Sequence, residues 1–190
     1  MPSLTMYYGP VIAAIWAILW LYWIACAWGN KRAVQKLSPG FRIISILCVI
    51  ALVSLVHIYP HFFLRQLYAR TESVEAIGIV LCLLGVALAI WARTLLGRNW
   101  SVGPQIKEGH ELIQTGPYRL VRHPIYTGIL LTMFGTCFGQ GRMLGVVLFL
   151  FCLVTLWIKL KVEETLMSKQ FPEAYPQYRK STKALVPYVL

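Results

Sequence analysis

Residues 74–96, VEAIGIVLCLLGVALAIWARTLL, form an almost unbroken apolar run. About 20 such residues, rising about 1.5 Å each, cross a hydrocarbon core about 30 Å thick, so this run predicts a membrane-spanning helix. Working outward, Tyr7 to Trp28 and Phe41 to Tyr59 meet the same length on the N-terminal side. Pro39-Gly40 separates those two, and His57, Tyr59, Pro60 and His61 end the second in residues suited to a headgroup interface. On the C-terminal side Ile125 to Phe138 is short and Met143 to Leu160 is about long enough. Only Gly139-Gln140-Gly141-Arg142 lies between them, which predicts a tight helical hairpin. The fold class is therefore an all-α integral membrane protein with about five transmembrane helices.

Composition agrees. The 190-residue chain is 58% hydrophobic and 13% charged, richer in apolar residues than a soluble domain. No low-complexity segment interrupts it, so residues 1–190 read as one polytopic domain: three spans in 1–96 and a polar-rich half in 97–190. The N-terminal span lacks a basic start and a small-residue cleavage site, and reads as a retained anchor.

The net charge of +11 would raise nucleic acid as a partner in a soluble protein. Here the cations sit between apolar runs, as for segments lying against an anionic leaflet, and no nucleic acid is expected. Counting alternate connections, Lys31, Arg32, Lys36, Arg42, Arg93, Arg98, Lys107, Arg119, Arg122, Lys159, Lys161, Lys169, Arg179, Lys180 and Lys183 fall on one side. Arg65, Arg70 and Arg142 fall on the other. By the positive-inside rule the N-terminus is outside, and both the 97–124 connection and the C-terminal tail are cytoplasmic. Two polar segments in one compartment can build one pocket; with four spans they would be on opposite sides.

Cys26, Cys48, Cys82, Cys137 and Cys152 lie in apolar runs without metal-ligand spacing. His57 and His61 are four apart, but Pro60 intervenes and no third ligand is apparent, so no metal is expected. Trp16, Trp20, Trp23 and Trp28 read as packing and interface residues, and Gly78 and Gly85 as allowing close helix approach.

The chemistry-bearing residues occur in a fixed order. The connection carries Gln105, then Gly109-His110-Glu111-Leu112-Ile113, then Thr115-Gly116-Pro117-Tyr118, then Arg122-His123-Pro124-Ile125-Tyr126. The tail carries Glu163-Glu164, Phe171, Tyr175, Tyr178 and Leu185-Val186-Pro187. Each piece has a plain reading. Glu163 and Glu164 near Lys159 and Lys161 make an interfacial ion-pair cluster. Arg122-His123-Pro124 makes a positive helix entrance with Pro at the first position. Gly109 and Gly116-Pro117 punctuate turns.

Taken together, over roughly residues 85–190, these segments resemble the isoprenylcysteine carboxyl methyltransferase family and its phospholipid methyltransferase relatives. The resemblance implies an S-adenosylmethionine-dependent methyltransferase acting on a lipophilic or lipidated substrate that arrives from the bilayer. It places cofactor contacts on Gln105, His110, Glu111, Leu112, Ile113, Tyr118, His123, Pro124, Ile125, Tyr126 and Glu163. The family's substrate-side arginine falls on Lys159, a point charge where arginine offers a planar fork.

The residues themselves suit such a ligand, which carries a sulfonium, an ammonium, a carboxylate, a ribose and an adenine. Glu163 could accept from the ammonium, Arg122 or His123 could donate to the carboxylate, and backbone around Leu112 and Ile113 could frame adenine. Tyr118 and Tyr126 could face the sulfonium. For catalysis the candidates are Lys159, Arg122 and Glu164. A carboxylate acceptor needs only positioning, by Lys159 or Arg122. An amine or hydroxyl needs a base, His123 or Glu164. A prenylated cysteine, a phospholipid amine, a quinone-like ring and a small thiol all stay open as acceptors. Two rivals stand beside this reading, an NADPH-dependent membrane reductase of the sterol reductase type and a non-catalytic scaffold.

Overall fold

The computed structural model describes residues 4–27, 39–97 and 112–189. Within them the chain forms α1 (Leu4–Ala27), α2 (Pro39–Ile58), the single turn α3 (Pro60–Phe63), α4 (Glu72–Leu96), α5 (Pro124–Gln140), α6 (Met143–Gln170) and α7 (Ala174–Ser181), with a 3₁₀ turn at Gly116–Arg119. Three of these are long and apolar enough to cross a membrane, over Tyr7–Cys26, Glu72–Leu96 and Met143–Gln170. Their outward faces expose Trp20, Leu21 and Ile24 on α1, Val80, Leu84 and Trp91 on α4, and Leu150, Val154 and Ile158 on α6. So much exposed apolar surface is stable against lipid and not against water.

The centre of the bundle is the α4–α5 pair, which packs more closely than any other two helices. The reason is a seam of small residues: Gly78, Cys82, Gly85 and Ala89 on α4 face Gly128, Thr132, Gly135 and Gly139 on α5. A Cβ at Gly85 would stand 2.6 Å from the carbonyl oxygen of Gly128, and one at Gly135 would stand 2.6 Å from that of Gly78. Backbones this close replace side-chain interdigitation with dispersion contact along the whole helix, the usual glue where lipid removes the hydrophobic drive. The role read for Gly78 and Gly85 in the sequence is the role they have here.

Helix α1 lies along this pair. Its Tyr8 hydroxyl donates to the Gly135 and Thr136 carbonyls at 3.1 and 2.9 Å, and Trp16 Nε1 donates to Thr136 Oγ1 at 3.0 Å. Tyr8, Ile12, Ile15 and Leu19 are buried against Cys82, Val86 and Ala89. At the far end of the same pairing Arg93 donates to the Cys26 carbonyl at 3.1 Å and to the Gly97 carbonyl at 2.7 Å, so one cation serves the C-terminal, electronegative ends of α1 and α4.

The chain turns from α5 to α6 through Gly141 and Arg142 alone. Gly141 is left-handed at φ 61°, which closes α5 through its N–H to the Cys137 carbonyl. The turn is held from outside by residues 65–67, through Leu67 N–H to the Gly141 carbonyl and Met143 N–H to the Arg65 carbonyl.

One expectation is corrected. The hydropathy pattern ends the last span at Leu160 and leaves Glu163 and Glu164 in a tail, whereas α6 runs on to Gln170 and carries both. Hydropathy falls after Leu160, but the following residues, Lys161 to Gln170, are mostly good helix formers, so the backbone has no cause to stop where the apolar surface does. Helix α7 packs back on α6 beyond the intervening turn.

Candidate active site

The polar residues gather at the end of the bundle where α4 finishes, α5 begins and α6 emerges. Tyr118, in the 3₁₀ turn, is the first anchor: its hydroxyl donates to the Ala92 carbonyl of α4 at 3.3 Å, and its carbonyl accepts from the Tyr178 hydroxyl of α7 at 2.5 Å. Burial, with Tyr178 and Glu163 nearby, pushes the Tyr118 phenol up, so it stays a neutral donor.

Beyond this turn the chain pairs side by side with the last segment of the protein. Arg122 N–H donates to the Lys183 carbonyl at 2.8 Å and His123 N–H to the Ala184 carbonyl at 3.0 Å, in parallel sense. Thr127 Oγ1 adds a bond to the Leu185 carbonyl at 2.7 Å. Ala184 and Leu185 bury into the core with Tyr118, Ile125, Tyr126 and Leu160. The connection and the C-terminal segment therefore meet, fastened through backbone.

Side chains close the junction. Arg122 Nε donates to Glu164 Oε1 at 2.7 Å, with both side chains almost fully buried. Its Nη1 reaches the carbonyls of Thr182 and Arg179. Arg179 lies on the other Glu164 oxygen at 3.8 Å. The Glu164 carboxylate is thus held between two guanidinium groups and the ring of His123, whose Nε2 is 3.7 Å from Oε1.

One turn toward the bundle is a second cluster. The Tyr126 hydroxyl donates to Glu163 Oε1 at 2.5 Å, and His123 Nδ1 is 3.5 Å from Glu163 Oε2. His123 and Tyr126 stack with ring planes 3° apart, and Lys159 Nζ sits over the Tyr126 ring at 5.7 Å. Lys159 and Glu163 share a face of α6 by their spacing of four. Burial pulls the His123 pKa down, but the carboxylates of Glu163 and Glu164 together outweigh it, and the net direction is up. Two neighbouring carboxylates favour the protonated form of the imidazole. Two buried polar atoms here have no hydrogen-bond partner among the described residues, His123 Nε2 and the Tyr175 hydroxyl.

The structure thus brings together Tyr118, Arg122, His123, Tyr126, Lys159, Glu163 and Glu164. Pro124 and Ile125 are buried, Pro124 at the first position of α5 and Ile125 in the core. Leu112 and Ile113 are half-buried, with Ile113 against the same core. Gln105, His110 and Glu111 lie outside the described residues. Sequence reasoning assigned no role to Tyr178, Arg179, Thr182 or the carbonyls of Lys183 to Leu185, which frame the site. Tyr175 and Tyr178, three apart on one short helix, were the available signal; the backbone partners left none.

The apolar helical bundle marks an integral membrane protein, and the buried polar cluster at one end of it is the candidate site. The chain belongs to the phospholipid methyltransferase family, whose family model matches residues 74–174. It is 28% identical over 134 residues to the protein-S-isoprenylcysteine O-methyltransferase of Schizosaccharomyces pombe, an alignment covering 69% of this chain and 56% of that protein. It is also 28% identical over 119 residues to the probable protein-S-isoprenylcysteine O-methyltransferase of Oryza sativa subsp. indica, covering 61% and 62%. The chain thus spans little more than half the length of these curated relatives. Among solved structures, a eukaryotic intramembrane Ras methyltransferase, isoprenylcysteine carboxyl methyltransferase, matches with a TM-score of 0.54 at 21% identity, covering 82% of this chain and 55% of that one, a likeness of fold.

Proposed function

We propose that this chain is an integral membrane methyltransferase that takes its methyl group from S-adenosylmethionine and delivers it to a lipophilic carboxylate of the isoprenylcysteine kind. The observation that carries the reading is the Tyr126–Glu163–His123 cluster at the bundle mouth, which lies inside the family-matched region. The names of the curated relatives support the same activity.

The residues present fit the cofactor. Glu163 keeps part of its carboxylate open, side chain 23% exposed, and offers an acceptor for an ammonium. His123 Nε2, buried and without a hydrogen-bond partner among the described residues, offers a donor for a carboxylate. Backbone N–H and C=O groups around Leu112 and Ile113 suit an adenine, and Tyr118 and Tyr126 supply aromatic surface. When bound, S-adenosylmethionine supplies an electrophilic methyl group on a sulfonium. Gln105, His110 and Glu111 belong to this reading by resemblance.

The cluster favours a carboxylate acceptor over one that must lose a proton. The two carboxylates beside His123 raise its pKa above the ordinary imidazole value and face both ring nitrogens, which favours a donor over a base at this position. Glu164 is already engaged by Arg122, which removes the second candidate base. Lys159, over the Tyr126 ring and on the same face of α6 as Glu163, is the positioning cation for an anionic acceptor, with Arg122 acting through Glu164 as a positioning residue. Desolvation at the bundle mouth then strengthens the Lys159 attraction and excludes competing water.

In this reading α1, α2, α4, α5 and α6 are the spans of one domain, with α5 and α6 as a hairpin, the N-terminus outside and the site cytoplasmic. At 17 residues α5 rises only about 25 Å, and its burial against α4 makes up for the shortfall. Lipophilic substrate enters from the bilayer and cofactor from the cytosol. Incubating the purified full chain with methyl-labelled S-adenosylmethionine and a panel of prenylcysteine, phospholipid amine, quinone-like and thiol acceptors tests this. Label in the carboxyl methyl ester of the prenylcysteine supports it, and label only in an amine or thiol product overturns the acceptor.

A further inference from the structure

Outside the bundle, the turn at Arg119–Leu120 and the segment Arg179–Lys183 enclose a cleft of about 150 Å³, with Tyr188 at its edge. Four of its lining side chains are cationic, Arg119, Arg179, Lys180 and Lys183, and none is acidic. Arg179 leans toward Glu164 at 3.8 Å. Arg119, Lys180 and Lys183 are exposed and form no ion pair among the described residues. Concentrated positive charge of this kind is electrostatically costly to keep in one concave place unless an anion offsets it.

The surroundings of the cleft say which anion. Leu120, Val186, Tyr188 and Val189 are all exposed on the same chain segments, Tyr188 at 88%. Tyr188 has φ 65°, a left-handed backbone that a non-glycine residue seldom adopts without compensation. The cleft also lies at the mouth of the bundle, because Tyr118, the residue before Arg119, is tied to the Ala92 carbonyl in the last part of α4. Cations beside exposed aliphatic and tyrosine side chains, at the level where spanning helices end, match the boundary between headgroups and acyl chains.

We propose that this cleft binds the phosphate of an anionic membrane lipid, with Arg119, Lys180 and Lys183 on the phosphate and Leu120, Val186 and Tyr188 against the upper acyl region. The cleft contains none of Tyr126, Glu163 and His123, while Arg179, Thr182 and Lys183 on its wall also brace the neighbouring Arg122–Glu164 junction. It rests on the chain being a membrane protein and is independent of methyl transfer. Lipid held here fastens the C-terminal segment, whose carbonyls brace Arg122 and His123, against the membrane.

The test is lipid selectivity in reconstituted vesicles. The full chain is placed in phosphatidylcholine bilayers with trace spin-labelled phosphatidylglycerol or spin-labelled phosphatidylcholine, and the motionally restricted fraction is read by electron spin resonance. The expected result is a several-fold preference for phosphatidylglycerol that falls to near parity in Arg119→Gln/Lys180→Gln/Lys183→Gln. Arg119→Lys/Lys180→Arg/Lys183→Arg keeps the preference, which separates charge from local unfolding. Absence of preference in the unaltered chain, its survival in the glutamine variant, or its abolition by millimolar inorganic phosphate would each overturn the proposal, the last by making the site one for free phosphate.

Discussion

Arg122 Nε and Glu164 Oε1 are 2.7 Å apart across 42 residues of sequence, and this buried pair joins the connection before α5 to the far end of α6. Removing one partner leaves the other charged and buried. Arg122→Ala should therefore cost about 3 kcal/mol or more, and Glu164→Ala a similar amount. The double variant should lose clearly less than the sum, because neither charge is then stranded. Unfolding curves in detergent measure this, and strict additivity would show that the two do not interact.

The His123 imidazole gives stability a pH dependence of known sign. Its folded pKa lies above the ordinary 6.5, so its contribution is fully present below about 6.5 and is lost as pH rises through the folded value. The melting temperature should fall between pH 6 and pH 9 more steeply in the unaltered chain than in His123→Gln. Parallel profiles would mean that the two carboxylates do not hold the ring as a cation.

Gly85 and Gly128 bring α4 and α5 into backbone contact, so a side chain at either has no room. Gly85→Leu or Gly128→Leu should lower the melting temperature and the yield of folded protein sharply. The control is Gly9→Leu in α1, where a Cβ meets nothing within 4 Å and the expected change is small. Equal tolerance at Gly9 and Gly85 would argue against the seam.

The apolar runs announced their helices because membrane burial is a long, one-dimensional signal. Predicted Val74 to Leu96 is Glu72–Leu96 in the structure, and the helices at the other apolar runs differ from the predicted bounds by a few residues at most ends. The exception is the end of α6, where composition turns polar while helix propensity persists. The order of the motifs also made legible that Tyr126, His123 and Glu163 come together. The pairing of residues 121–123 with 183–184 was not, since backbone bonds between segments some sixty residues apart leave no side-chain signature. Nor was the engagement of Arg122 with Glu164: sequence placed both among candidate catalytic groups, and only geometry shows each occupied by the other.

Lys159 is the proposed positioning cation for the acceptor carboxylate. Lys159→Ala should lower kcat/KM for a prenylcysteine carboxylate by about 10- to 100-fold, the effect of losing a charged partner in a desolvated site. Lys159→Arg should retain most activity. An unchanged kcat/KM in Lys159→Ala would move the acceptor carboxylate to another cation.

The central claim is that the cluster around Glu163 is a pocket for a sulfonium nucleotide, and isothermal titration of the detergent-purified chain with S-adenosylmethionine addresses it directly. The expected result is saturable binding that Glu163→Gln weakens by about 10-fold or more, near 1.4 kcal/mol, with no comparable binding of NADPH. Equal affinity in the variant, or preferential binding of NADPH, would contradict it.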